Sequence, residues 1–300
     1  MIGAFNLIAW SRVAPWSEQK QVEQDLLISR ALVAIFGDPF LAGELRFRGG
    51  TALNKLHFPQ ALRYSEDVDL VRTSHGPIRP LLDALRAVLE PWLGKPTFEQ
   101  SPVAPKLVFR APAEDGGQLR LKVEINTRET EAFDSPLAIP FRVDNPWFSG
   151  QAQVATFSRE EMLATKLRAL LQRNKGRDLF DLSHALQVFE DLDTARVIDY
   201  LGRYLQHAGQ RVSRAQAEER MFGKLRTDSL LADMRALLPP PSAAALTEEA
   251  RREAFVSVFT RFIESLPGEP WARSAEMIAR YGLPLETPAV LPHSTKGTTL

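Results

Sequence analysis

Cysteine is absent from the 300 residues, which excludes disulfides, thiol nucleophiles and thiolate metal sites and fits a reducing compartment. Net charge is absent too: 37 Lys and Arg balance 37 Asp and Glu, so global charge selects no polyanionic partner. No apolar run reaches membrane length. The N-terminal stretch MIGAFNLIAW is apolar, but it lacks a basic flank and a small-residue cleavage site, and Ser11, Arg12 and Pro15 interrupt it. It reads as a packed terminal segment of a cytoplasmic protein with no membrane partner. There is no GxxxxGK(S/T), hence no P-loop, and no internal repeat. What is present is an ordinary globular composition, 44% hydrophobic and 25% charged, enough for one large or two medium domains.

Periodicity divides the chain into an alternating first half and a helical second half. Residues 17–36 carry Val22, Leu26, Leu27, Ala31, Val33 and Ile35 at helical spacing, with Ser17 as N-cap and Gly37 as stop. Residues 45–48 read as a strand entering the Gly49-Gly50 turn, followed by a helix from about Thr51. Residues 65–72 form a second strand, 77–92 a helix, and 106–110, 118–126 and 137–143 three further strands. Beyond residue 153 the pattern is helical, and a capping box of Ser158 and Glu161 opens a helix to about Leu171. Helices are also expected over 177–189, 194–206, 216–222, 229–238 and 247–265, with a break at residues 239–241. The tail PLETPAVLPHSTKGTTL is expected to be extended or disordered. The reading is an α/β domain over residues 1–155, a helical domain over 156–283, and a flexible tail over 284–300.

The chemistry concentrates in FRGGTALNKLHFPQALRYSEDVDLV, residues 47–71. Gly49 and Gly50 stand between strand and helix, where glycine lets backbone N–H groups approach a phosphate at a helix N-terminus. Asp67 and Asp69 share one strand face, and Val68 and Leu70 share the other. Two carboxylates that close repel by roughly 4 kcal/mol at an effective dielectric near 20. They are either solvent-facing acids of an edge strand or ligands of a hard, oxygen-seeking cation such as Mg²⁺ (or Mn²⁺). Glu124, in LRLKVEI, shares a face with Lys122. It is either a surface partner of that lysine or a third acid of the same cluster. In MLATKLRALLQRNKGRDLFDL, Lys166 suits a phosphate-binding cation, while Asp178 and Asp181 share a helical face near its start, where acids suit the dipole. Asp181 reads as a capping acid.

Local charge adds a hint. Residues 45–64 hold four basic side chains and no acid, and residues 203–226 hold six basic and two acidic ones. Such stretches are either solvated faces or patches for a phosphate backbone.

The order RGGTALNKL, RYSEDVDLV, KVEIN and ATKLRALLQRNKGRDLFDL resembles the nucleotidyltransferase fold of the DNA polymerase β type, and more narrowly the AbiEii/AbiGii toxins, including the MenT group. The resemblance implies a mixed-sheet domain followed by a helical domain, and a toxin paired with an antitoxin encoded beside it. It implies metal-dependent transfer of NMP from an NTP to an acceptor hydroxyl, in some members the tRNA 3′ end, blocking translation. By position, Asp67 and Asp69 would hold the metal, with Glu124 a variable third ligand. Gly49, Gly50 and Thr51 would bind triphosphate, Lys166 and Asp178 would complete the site, and Glu124 or Asp178 would orient or deprotonate the acceptor hydroxyl. Ser65, on the face of Asp67, would contact phosphate or be phosphorylated by the antitoxin, adding about −1.5 to −2 charges. Two other functions fit the same residues: a nucleotide-binding switch without transfer, and transfer to protein or small-molecule hydroxyls.

Overall fold

The computed structural model describes residues 2–226 and 229–286, so the expected tail lies outside the described residues from residue 287 on. Seven strands form one mixed sheet: β1 (Leu45–Arg48), β2 (Asp67–Arg72), β3 (Thr97–Glu99), β4 (Lys106–Pro112), β5 (Gln118–Asn126), β6 (Leu137–Asn145) and β7 (Phe148–Thr156). Their order is β3-β4-β5-β2-β1-β7-β6. β1 lies antiparallel to β2 and parallel to β7, and β2 lies parallel to β5.

Alternation decides the faces. Phe47, Leu70 and Ile125 lie in register across β1, β2 and β5 and are buried, as are Val68, Val123 and Leu107. Burying these side chains gives the sheet its inner face, at about 1.5–3 kcal/mol for each large aliphatic or aromatic residue. The opposite face presents Asp67 beside Lys122 and Asp69 beside Glu124.

The helices are α1 (Ala4–Trp10), α2 (Gln19–Gly37), α3 (Pro39–Glu44), α4 (Gly49–Ala52), α5 (Arg79–Leu93), α6 (Arg159–Gln172) and α7 (Gly176–Val188). They continue as α8 (Thr194–His207), α9 (Arg214–Lys224), α10 (Ser229–Arg235), α11 (Pro240–Ala245), α12 (Glu248–Val258) and α13 (Ser274–Tyr281). α2 packs on β5 and β7 and supports the inner face. One contiguous apolar core runs through both halves of the chain. Residue 155, expected as a boundary, falls within β7.

Several expectations shift for local reasons. Glu18, not Ser17, caps α2 in a box with Gln21, because the Ser17 hydroxyl donates to the Leu238 carbonyl 2.8 Å away. Ser158 caps α6 as expected, accepting from the Glu161 N–H. The box is not reciprocal: the Glu161 carboxylate accepts from the Phe133 and Asp134 N–H groups and the Tyr204 hydroxyl. β7 was not anticipated, since it is half exposed along most of its length and shows no apolar alternation until Val154. Residues 239–241, read as a break, lead into α11 with proline in its first turn, where a missing N–H costs nothing.

Candidate active site

The Gly49-Gly50 turn sets the first wall. Gly49 has φ +84°, and a Cβ there would fall 2.3 Å from Asp69 Oδ2. A Cβ on Gly50 would meet Arg63 Nη2 at 2.5 Å. The glycines therefore serve a turn and two close approaches at once. The first N–H groups of α4 have no intrahelical acceptor. Thr51, predicted as a phosphate ligand, is buried. Its hydroxyl donates to the Asp67 carbonyl at 2.6 Å and lies 2.8 Å from Ser65 Oγ. Its side chain thus anchors the entry to β2, and only its backbone faces the turn.

Asp67, Asp69 and Glu124 line one cleft of about 310 Å³, together with Gly50, Ser65, Lys166 and Arg173. The sequence-predicted side chains from the two halves of the chain therefore meet. Asp67 pairs with Lys122 at 2.9 Å, and Glu124 is held by Lys106 at 3.4 Å and Lys122 at 3.6 Å. Among the described residues no three His, Asp or Glu side chains are grouped closely enough to hold a metal, so Glu124 is not gathered with the two aspartates into a ready three-ligand set. Burial, joined by the charges of Asp67 and Glu124, pushes the Asp69 carboxyl up to about 6. Burial opposes the Lys122 charge, yet Asp67 and Glu124 hold its ammonium above the usual range.

The helical wall is built the opposite way. Asp181, expected as a capping acid, is fully buried and is the hub of a charge network. Arg63 clasps it through two bonds, Nε to Oδ1 at 2.8 Å and Nη2 to Oδ2 at 2.7 Å, and Lys166 reaches it at 3.0 Å. Asp178 is buried and accepts from Lys166 at 3.1 Å and from Arg173 at 2.7 and 2.9 Å. Burial disfavours both carboxylates, but these cations overcome it. Asp181 is held down to about 2, and Asp178 is lowered by Arg173 and Lys166.

Sequence reasoning missed Arg63 and Arg173 as site residues. Arg63 had appeared only as part of a basic stretch; Asn54 places it, since Asn54 Oδ1 accepts from the Leu62 and Arg63 N–H groups at 2.9 and 3.1 Å. Arg48 lines the cleft too, bonded to Glu129 at 2.8 Å, and Glu129 also takes both arms of Arg168.

The donor set suits a hard divalent cation: two carboxylates on one strand face, one of them raised by burial and by the neighbouring acids Asp67 and Glu124. Oxygen ligands with a cation-lined opposite wall form the arrangement of a nucleotidyltransferase. The chain is similar to several solved structures, among them two that cover most of its length. One is the MenT4 nucleotidyltransferase toxin of Mycobacterium tuberculosis H37Rv, at 20% identity and TM-score 0.57, covering 91% of this chain and 93% of that one. The other is JHP933 from Helicobacter pylori, at 19% identity and TM-score 0.53, covering 83% and 94%. No curated protein sequence matches. The family model described as nucleotidyl transferase AbiEii toxin, type IV toxin–antitoxin system, matches residues 30–269, and the chain belongs to that family.

Proposed function

We propose that this nucleotidyltransferase toxin transfers NMP from an NTP to the 3′ end of tRNA, in the cytoplasm, with Mg²⁺ or Mn²⁺ held by Asp67 and Asp69. The observation that carries the reading is the pairing of two opposed walls: carboxylates short of positive charge on β2, and Lys166 and Arg173 across the cleft. A divalent ion, which Asp67 and Asp69 would hold, would neutralise the triphosphate and make its α-phosphorus easier to attack. The acceptor hydroxyl oxygen attacks that phosphorus and gives its proton to Glu124, the bond from phosphorus to the bridging oxygen breaks, and pyrophosphate departs. Lys166 and Arg173 stabilise the charge that develops on the leaving group. The turn at Gly49 and Gly50 and the Thr51 N–H receive the phosphates.

Asp178 and Asp181 act as positioning residues. Both oxygens of Asp178 already face Arg173 and Lys166, which favours holding cations over accepting a proton. Glu124 is the better candidate to orient the acceptor hydroxyl, once Lys106 and Lys122 shift toward the incoming phosphates. Ser65 lines the cleft beside Asp67, so its phosphorylation by the antitoxin would oppose triphosphate entry. Intact mass of toxin co-expressed with its neighbouring gene tests this, and an unchanged mass for the Ser65 peptide removes it.

The transfer reading is tested by incubating the protein with each α-labelled NTP and total bacterial RNA, with and without Mg²⁺. Labelled tRNA is expected. Label on protein, on small molecules or nowhere would replace it with the alternatives of a different acceptor or a nucleotide-binding switch.

A further inference from the structure

Beyond the catalytic cleft lies a second concavity, of about 620 Å³, where α6, the turn after α8, and α9 meet. Arg168, Gln172, Gln210, Arg211 and Arg220 line it, and no carboxylate does. It is joined to the site through a smaller polar cavity of about 210 Å³ that shares Arg168 and Gln172 with it, and shares Arg48, Gly50, Asp69, Lys166 and Arg173 with the cleft.

The groove also resolves the basic stretch of residues 203–226. Arg203 pairs with Asp199 at 2.9 Å and Arg214 with Glu218 at 2.7 Å, so these two are solvated or structural charges. Arg211 and Arg220 are exposed and pair with no carboxylate among the described residues; Arg220 makes only a 3.5 Å bond to the Leu171 carbonyl. Behind them Lys224 is buried, its ammonium donating to the Arg173 carbonyl at 2.7 Å. Burial, together with the nearby Arg220, holds that amine down to about 8. Asp178 opposes that shift from the side of the cleft, while the lining of the groove itself carries Arg168, Arg211 and Arg220 and no carboxylate. Arg168, by contrast, is fixed by Glu129, with its guanidinium 5.1 Å from the Tyr204 ring.

We infer that this groove binds the sugar–phosphate backbone of the nucleic-acid acceptor, with Arg211 and Arg220 contacting successive phosphates and Gln172 and Gln210 contacting sugars or phosphates. The inference rests on the transfer reading for the identity of the acceptor. A polynucleotide fits better than the triphosphate tail of an NTP, because the cleft already presents Lys166, Arg173 and Arg48 to that tail. Backbone contacts position a strand without reading its sequence, and each releases counterions on binding.

The test is binding of fluorescently labelled, unfractionated bacterial tRNA to the full chain without NTP, across a KCl series. The double variant Arg211→Ala/Arg220→Ala is compared with wild type and with Arg280→Ala, an exposed arginine on α13. The double variant should bind about tenfold more weakly, with a salt slope shallower by about two, since each phosphate contact contributes roughly one to that slope. Arg280→Ala should stay within about twofold, and KM for NTP should not move. Wild-type affinity and slope in the double variant, or an equal loss in Arg280→Ala, overturns the groove. A raised KM for NTP with tRNA binding intact overturns it as well and assigns the arginines to the triphosphate. Groove-dependent tRNA binding by a protein that transfers nothing would sink the transfer reading alone.

Discussion

Asp67 and Asp69 on β2 line the cleft, whereas Asp178 and Asp181 on α7 lie buried beneath Arg63, Lys166 and Arg173, which line it too, and the electrostatics of the two pairs are opposite. Of the strand pair, Asp67 is paired with Lys122, while burial and the charges of Asp67 and Glu124 push Asp69 up to about 6. The helix pair is saturated by Arg63, Lys166 and Arg173, and both of its carboxyls are lowered. The difference teaches what each pair is for. In the proposed function the strand pair takes its cation from solution, whereas the helix pair, already surrounded by cations, holds those cations in place. Residue type alone does not separate the two roles; compensation does.

The comparison breaks most visibly through Asp69→Asn. Transfer should fall by about 10³-fold, a loss on the scale of removing a principal electrostatic group from a site. The melting temperature should stay level or rise, because a repulsion is relieved. Nucleotide labelling and a thermal melt on the same sample check both halves, and a variant that transfers at wild-type rate ends the assignment. Asp181→Asn should do the reverse. Leaving Arg63 and Lys166 short of a buried partner should cost about 3–5 kcal/mol in urea unfolding. An Asp181→Asn protein as stable as wild type would show that the network is dispensable.

Gly49→Ala tests the seam between the walls. Its φ of +84° and a Cβ 2.3 Å from Asp69 Oδ2 predict a loss of about 1–3 kcal/mol, with lower transfer as Asp69 is displaced. An unchanged melt and rate would mean the turn relaxes freely. The smallest effect is on acid stability. Glu129 and Asp181 are depressed from 4.5 and 3.8 to about 2 in the folded protein, by Arg168 and Arg48 and by Arg63 and Lys166, against the effect of burial. A depressed folded value means the unfolded chain takes up protons first. Their stabilisation is therefore present above about pH 4.5 and is lost as pH falls toward 2. Glu129→Gln should flatten the upper part of that decline in a series of melts, and an identical profile would contradict the pairing.

Much of the sheet was legible because it follows from period two. β1 and β5 fall where alternation puts them, and Asp67, Asp69, Lys122 and Glu124 share a face for that reason. The Gly49-Gly50 turn was legible because few residues fit a positive φ beside a carboxylate. The helical wall was only half readable. Lys166 stood out as a cation among Met162, Leu163, Leu167 and Leu170, but Asp181 looked like an ordinary first-turn acid. Its partner Arg63 is 118 positions away, beyond the reach of any local pattern. Thr51 was half readable for a related reason: its place after the glycines suggests a phosphate contact, and what no local pattern shows is that its hydroxyl is taken by residues that follow it by 14 and 16 positions. β7 was hidden because a half-exposed strand needs no apolar alternation.

The clasp between Arg63 and Asp181 also governs when the cleft comes into being. During synthesis Asp67 and Asp69 leave the ribosome well before α7 is made. Until Asp181 emerges, Arg63 has no partner, Lys166 has no anchor, and the cation wall does not exist. A chain that stops short of Asp181 therefore lacks the one carboxylate that Arg63 and Lys166 share.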